Sequence, residues 1–424
     1  MSAPLQAVRG MNDVLPEEAE RWQWLSERVA AWFARYGYRP IRTPLLEPTA
    51  LFRRAIGEVT DIVEKEMYTF TDALNDESLT LRPEATASTV RAAIEHSLLH
   101  DGPRRLWYQG PMYRHERPQK GRYREFHQFG AEALGYPGPE VDAELILMCA
   151  SLWKELGIAG VRLELNTIGS SEERARYRAD LVRHLEANAG ELDADAQRRL
   201  HTNPLRVLDS KNPRVQAVVS GAPELMRYLG DASIAHFETL KALLGAAGIA
   251  FTINARLVRG LDYYNLTVFE WISDRLGAQG TVCGGGRYDG LFAQLGGKPA
   301  PGVGFAAGIE RLLALLRETG RVATARAPAA YLVHQGEGVL PYALTLAEEL
   351  RAAGHAVVLH AGGGSFKAQM RKADASGAAL ALIVGEDELA AGAVTVKPLR
   401  DARAQWREPR AGLAARLTEF VEGT

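Results

Sequence analysis

Cysteine is scarce in this chain, and neither sign of charge dominates. Cys149 and Cys283 are the only two cysteines in 424 residues. Cys149 sits in an apolar helical pattern and Cys283 in a strand-like run, so both read as buried thiols and not as a disulfide framework. No His/Cys cluster has zinc-ligand spacing. The longest apolar runs fall well short of the ~20 residues that span a bilayer, and the first ten residues lack the apolar stretch of a secretory signal. No membrane partner is expected, and the cytoplasm is the expected compartment. Net charge is only -2, with 46 % hydrophobic and 24 % charged residues, the make-up of ordinary globular domains. There is no Walker phosphate loop, tandem repeat or low-complexity segment. The length predicts two or three domains.

Against that even background one stretch is unbalanced. Between Arg104 and Arg124 stand six Arg, one Lys and a single acid, Glu116. A polyanion is the natural partner. Tyr113 to Glu132 reads as two extended arms about a tip, Pro118-Gln119-Lys120-Gly121, that suits a turn. At a strand's period of two, Arg122, Arg124, Phe126, Gln128 and Glu132 share one face. Arg114 and Glu116 alternate likewise on the first arm. Cations, a ring, an amide and a carboxylate in that order suit a phosphate, a flat base and a small polar molecule in a row. The plain alternative is a solvated hairpin of mixed charge.

Elsewhere the chain reads as follows. Pro16 to Tyr36 is an amphipathic helix, with Leu25, Val29, Trp32, Phe33 and Tyr36 at spacings of three and four. Helices are expected near Leu51 to Ile56, Thr86 to His100 and Val141 to Leu156. Strands are expected at Arg105 to Tyr113, Ala250 to Val258, Thr267 to Ser273 and Gly280 to Cys283. Residues 170–230 lose strand signals and read as a helical insertion, broken at Asn203-Pro204 and Asn212-Pro213. Val322 to Pro328 is the linker candidate. Beyond it, Tyr331 to Val333, Ala356 to Leu359 and Leu380 to Val384 alternate with helices as a compact α/β domain. A hairpin followed by neighbouring strands, without βαβ units, predicts an antiparallel sheet in the large domain. The glycines of Gly302 to Gly308 lack the spacing of a dinucleotide fingerprint.

Five short runs complete the pattern: Arg114-His115-Glu116 through Phe126, Leu81-Arg82-Pro83-Glu84-Ala85-Thr86, Arg259-Gly260-Leu261-Asp262-Tyr263-Tyr264, Gly285-Gly286-Arg287-Tyr288-Asp289 and Gly302 to Arg311. With Thr43-Pro44, and in this order, they resemble a class II aminoacyl-tRNA synthetase. The Arg259 and Gly285 runs resemble signatures of the histidyl-tRNA synthetase family. The resemblance covers essentially the whole chain. It implies an α+β catalytic domain over residues 1–322, an antiparallel sheet flanked by helices, with the helical insertion at about 170–230. It also implies a C-terminal α/β anticodon-binding domain over residues 328–424. The implied reaction joins L-histidine to tRNA(His) through an adenylate made from ATP.

The site residues follow by resemblance. Arg259 and Arg114 would meet the α-phosphate. Arg114, Glu116, Arg122, Phe126 and Arg311 would hold ATP, with Phe126 stacked on adenine. Glu84, Thr86 and Gln128 would bind the amino group of histidine, and Glu132, Tyr263, Tyr264 and Tyr288 its ring pocket. Arg117, Gln119 and Arg124 would meet the tRNA acceptor end; the plain alternative for each is a solvated loop charge. Mg2+ is implied with ATP, with no protein ligand assigned. A homodimer is implied at Thr43-Pro44. Ala85 and Gly284 depart from the family's usual Gly and Ala, and neither change removes a functional group. The rival is non-enzymatic: the synthetase-like regulatory subunit of ATP phosphoribosyltransferase, which lacks the C-terminal domain and has eroded catalytic signatures.

Overall fold

The computed structural model describes residues 4–422 apart from 120, 209, 211 and 320–326. The chain divides into two compact units, Met1–Val322 and Ala323–Thr424. Most of the expected linker, residues 322–326, lies outside the described residues.

The first unit opens with α1 (Pro16–Arg35), where Pro16 starts the helix and Leu25, Val29, Trp32 and Phe33 are buried. After β1 (Arg39–Pro40) come β2 (Leu46–Pro48), α2 (Thr49–Ile56), β3 (Tyr68–Thr71), β4 (Ser78–Leu81) and α3 (Thr86–Glu95). The long hairpin is β5 (Arg104–Tyr113) and β6 (Glu125–Leu134), followed by α4 (Pro139–Leu156) and β7 (Val161–Thr167). Helices α5 (Ser171–Ala187), α6 (Ala194–Thr202) and α7 (Pro213–Ser220) then close on a small core of their own, including Tyr177, Leu181, Leu200 and Val215. Asn212 caps α7 through its side chain and Pro213 takes the first helical turn, so the breaks seen in the sequence are helix starts. The chain returns through α8 (Asp231–Ala246), β8 (Phe251–Ile253), β9 (Asn265–Ser273), β10 (Thr281–Arg287), α9 (Leu291–Gln294), β11 (Gly302–Gly308) and α10 (Ile309–Thr319).

Eight strands form one sheet in the order β1-β5-β6-β11-β10-β9-β7-β8. The six central strands are antiparallel, as expected; the edge strands β1 and β8 pair parallel. Period-two alternation divides the sheet into two faces. Phe129, Ala131 and Ala133 of β6, Val303, Phe305 and Ala307 of β11, and Phe269 and Trp271 of β9 enter one core with Trp32 and Phe33. Each large side chain buried there contributes about 1.5–3 kcal/mol. Even-numbered positions of β6 and β11, with Gly284 of β10 beyond the irregularity at Thr281–Cys283, point the other way and carry the site.

Three local expectations needed correction. The helix from Thr86 ends at Glu95, not His100, and Ser97 just beyond takes φ 50. The strand expected over 250–258 is limited to Phe251–Ile253. In the second unit β12 (Ala330–His334), β13 (Val357–Leu359) and β14 (Leu380–Val384) pair parallel as a βαβ pattern requires, but β15 (Ala393–Pro398) and β16 (Trp406–Pro409) extend the sheet antiparallel and were not anticipated. Cys149 and Cys283 are free buried thiols with sulfurs 3.7 Å apart.

Candidate active site

A cavity of about 310 Å3 lies over the even face of the sheet. Gly284, Ala306 and Gly308 are among its small lining residues, and five arginines reach it: Arg114 and Arg122 from the β5–β6 loop, Arg206 from the helical insertion, Arg259 from the run before β9 and Arg311 from α10. Phe126, Gln128, Glu116, Glu270 and Glu310 also face it. So the alternation read along β6 holds for Phe126 and Gln128. It fails for Arg124, before the strand begins, whereas Arg122 reaches the cavity from the loop. Gln119 and Arg122 exchange backbone hydrogen bonds of 3.0 and 2.9 Å about a tight turn; Gly121 there has φ 76, and Lys120 lies outside the described residues. Arg117 and Gln119 are exposed at this tip.

Arg114, Arg122, Arg259 and Arg311 are each aimed by a named partner. Arg114 donates from Nε to Pro83 O at 2.9 Å, and its guanidinium stands 5.2 Å from the Phe126 ring. Arg122 pairs with Glu116. Arg311 donates to Thr281 O at 2.5 Å and to Gly121 O at 3.2 Å. Burial, then Arg122 and Arg114, pulls its pKa down, which is the mark of cations gathered without enough negative charge among them. Arg259 pairs with Glu270, whose other oxygen accepts from Thr281 Oγ1 at 2.9 Å. Burial opposes the charge on Arg259, but Glu270 outweighs it and raises its pKa. Among the described residues no group of three or more His, Cys, Asp or Glu is placed to hold a metal.

The other predicted residues form a second, closed cluster. Glu132 is wholly buried. Its carboxylate accepts from Thr86 Oγ1 at 2.6 Å, from the Tyr108 hydroxyl at 3.1 Å and from the Tyr288 hydroxyl. Burial pushes its pKa to about 8 against these three hydroxyls, with Glu84 adding to the rise. Glu84 accepts the Thr86 and Ala87 amides at 2.7 and 2.9 Å and so caps α3; the Tyr263 hydroxyl lies 3.4 Å away. Burial raises its pKa as well. Tyr264 packs against Tyr263 with ring centroids 4.7 Å apart and planes tilted by 53°, and its ring stands 5.9 Å from the Arg259 guanidinium. The tyrosine hydroxyls bonded to Glu132 are those of Tyr108 and Tyr288, not that of Tyr264.

Two glycines make this cluster possible. A Cβ on Gly304 would overlap Glu132 Oε2, and one on Gly130 would come within 2.5 Å of the Tyr108 hydroxyl. Ala85 needs no such freedom: its φ is -118, so alanine is unstrained there. Gly284 matters more than its sequence reading allowed, because a Cβ there would stand 2.5 Å from Arg259 Nη1. Arg287 is buried structure: it ties β10 to Asp142 and to the carbonyls of Tyr136 and Gly138.

Sequence reading missed Tyr108, Glu270, Thr281 and Glu310. Glu310 accepts the His127 amide at 2.8 Å, next to Phe126. Tyr108 had a usable signal, since it faces Gly130 across the hairpin. Arg124 is the plainest correction: its side chain runs back to the carbonyls of Glu116 and Arg9 and is absent from the cavity wall.

Comparison with known proteins agrees with this arrangement. A family model described as histidyl-tRNA synthetase matches residues 10–312, and one described as anticodon binding domain matches residues 330–420. A histidine–tRNA ligase of Nitrosomonas europaea is 61% identical over 417 residues, 98% of this chain and 99% of that protein. One of Aromatoleum aromaticum is 62% identical over 421 residues, 99% and 96% of the two chains. The crystal structure of apo S. aureus histidyl-tRNA synthetase superposes with a TM-score of 0.83 at 35% identity, covering 98% of this chain and all of the other. The four arginines, the Glu84–Glu132 cluster and the matched lengths have one common account: the chain belongs to the histidyl-tRNA synthetase family.

Proposed function

We propose that this protein is a histidine–tRNA ligase, which converts histidine and ATP to histidyl-adenylate and pyrophosphate and then passes the histidyl group to tRNA(His), releasing AMP. The observation that carries the reading is the convergence of Arg114, Arg122, Arg259 and Arg311 on one cavity beside two buried carboxylates. Attack of the histidine carboxylate on the α-phosphorus builds negative charge on the phosphate oxygens. Arginines held in place beforehand stabilise that charge without reorganising. Arg114 and Arg259 would take the α-phosphate, and Arg122 and Arg311 the others. Phe126, with Arg114 near its ring, suits the adenine. The nucleophile is already ionised, so orientation and charge suffice for the first step.

Glu84, Thr86 and Gln128 would meet the amino group, and Glu132 with Tyr263, Tyr264 and Tyr288 the imidazole. Thr86, Tyr108 and Tyr288 engage Glu132 with three hydrogen bonds, and an imidazole N–H would take the acceptor position that a carboxylate still has. A side chain without that donor would leave a buried acceptor unsatisfied, which discriminates strongly. Exposed Arg117 and Gln119 suit the acceptor end of tRNA. Mg2+ would be held by the phosphates of ATP with Glu116 or Glu270, and would offset charge on the leaving pyrophosphate. The catalytic domain would span residues 1–322 and the anticodon-binding domain 328–424. Among the described residues no helix is long and apolar enough to cross a membrane, and a cytoplasmic enzyme is the reading adopted.

The non-enzymatic regulatory reading is disfavoured by the match to an anticodon-binding domain at residues 330–420 and by the intact arginine set. The deciding measurement is isotope exchange between pyrophosphate and ATP. Exchange is expected only when histidine is added. Exchange with another amino acid, or none with histidine, overturns the reading.

A further inference from the structure

The loop between β5 and β6, residues 114–124, carries two of the arginines above and the exposed tip. Its root is held by a part of the chain to which no role has been given. Gly10 turns there with φ 89, behind a Met11 N–Val8 O hydrogen bond of 2.8 Å. The Gly10 carbonyl accepts the Arg124 amide at 2.7 Å and the Glu125 amide at 3.2 Å, where β6 begins. The Arg124 carbonyl in turn accepts the Arg114 amide at 2.9 Å, where β5 has ended. Arg124 also donates from Nη1 to Arg9 O at 3.3 Å and from Nε to Glu116 O at 3.2 Å. The root of the loop is therefore a three-layer ladder of Gly10, Arg124 and Arg114.

The fit is close. A Cβ on Gly10 would stand 2.8 Å from Pro118 Cγ and 3.0 Å from Arg124 Cγ. At positive φ any L side chain is also strained. The far end of the arm is anchored too, since Pro16 starts α1 and α1 buries Trp32 and Phe33 in the main core. The arm thus runs from a rigid helix to the root of a loop whose tip is closed on itself by the Gln119–Arg122 bridge.

We infer that the turn at Arg9–Met11 is a positioning bracket for the 114–124 loop, with Gly10 its key residue and Arg124 its crosspiece instead of a tRNA contact. The inference rests on the reaction proposed above for its kinetic consequence, though not for its structural one. Loosening the root leaves Arg114, Arg122 and the tip to their remaining contacts with Pro83, Glu116 and Arg311, and so widens the range each samples. The Glu84–Glu132 cluster stands on strand β6 and helix α3 and is untouched.

The test is Gly10→Val in the full chain, with Leu5→Ala as control, because Leu5 is fully exposed. Gly10→Val is expected to raise the KM for ATP and for tRNA about fivefold or more, the factor that one lost hydrogen bond gives. The kcat should fall as well, because Arg114 meets the charge that builds during attack, while the KM for histidine should not move. Leu5→Ala should match wild type. Hydrogen exchange read at the Arg114 and Arg124 amides should accelerate in Gly10→Val alone, whatever the reaction proves to be. Unchanged KM values, a loss confined to kcat, or unchanged protection of those amides overturns the bracket. Failure of wild type to exchange pyrophosphate with histidine, with the amide result intact, overturns the assigned reaction and leaves the bracket standing.

Discussion

Glu132 is ionised in an unfolded chain above about pH 4.3, yet in the folded protein burial holds its pKa at about 8. Between those two values the folded state binds a proton that the unfolded state does not. The stabilisation from this group is therefore complete below about pH 4.3, declines as pH rises through neutrality and is gone above about pH 8. Glutamine at 132 keeps the shape and removes the titration. The melting temperature of the ligand-free wild type should fall relative to Glu132→Gln between about pH 5 and about pH 8, by several degrees for a domain of this size. The other groups titrate in both proteins and cancel in the difference. A difference that stays constant with pH would show that Glu132 is ionised throughout, and that its three hydroxyl partners outweigh its burial.

At the scale of elements, β11 shows how backbone spacing sets chemistry. Gly304 and Gly308 lie on the same face of that strand, opposite Glu132 and Gln128. A methyl at 304 would overlap the Glu132 carboxylate, whereas one at 308 would meet Arg311 no closer than 3.6 Å. Gly304→Ala should raise the KM for histidine in pyrophosphate exchange about tenfold or more, because the methyl displaces the Glu132 carboxylate, and should also lower the melting temperature through an overpacking cost of about 1–3 kcal/mol. Gly308→Ala should stay within about twofold. Equal behaviour of the two variants removes Glu132 from the histidine pocket. The alternation that places Phe126, Gln128 and Glu132 on one face was legible because a strand fixes the direction of every second side chain. Nothing local marked the end of that rule at Glu125, because Arg124 and Glu125 are bound by a distant turn at Gly10. Glu270 was illegible for a related reason: only the register of β9 against β10 sets it opposite Gly284 and beside Arg259. β15 and β16 escaped because they are short, carry charged residues and end in proline.

The unit that carries the site also shows a surface that a lone chain has no use for. In the three-stranded sheet β2-β4-β3, register puts Leu46, Leu81 and Tyr68 side by side, with Pro48, Leu79 and Phe70 next along the same face. The opposite face holds Glu47 and Thr80, which are buried. Thr80 shares hydrogen bonds of 2.8 and 2.9 Å with Thr49 and Thr69, and Glu47 pairs with Arg91 of α3 at 2.6 Å. The sheet is thus polar inward and apolar outward. Leu46 and Phe70 are 37% and 47% exposed, and Leu45 beside them is 41% exposed. An outward apolar face on a sheet whose polar face is satisfied within is the pattern of a covered surface, and it follows directly on Thr43-Pro44. A second copy of the chain is the occupant that the dimer reading supplies, since a twofold axis covers both copies of one patch at once. Sedimentation equilibrium at micromolar concentration should give twice the chain mass for the wild type. Leu46→Asp with Phe70→Asp should give the chain mass, with the cooperative fold kept because neither side chain is in the core. A single-chain wild type, or a dimer that survives both aspartates, would remove the small sheet from the interface.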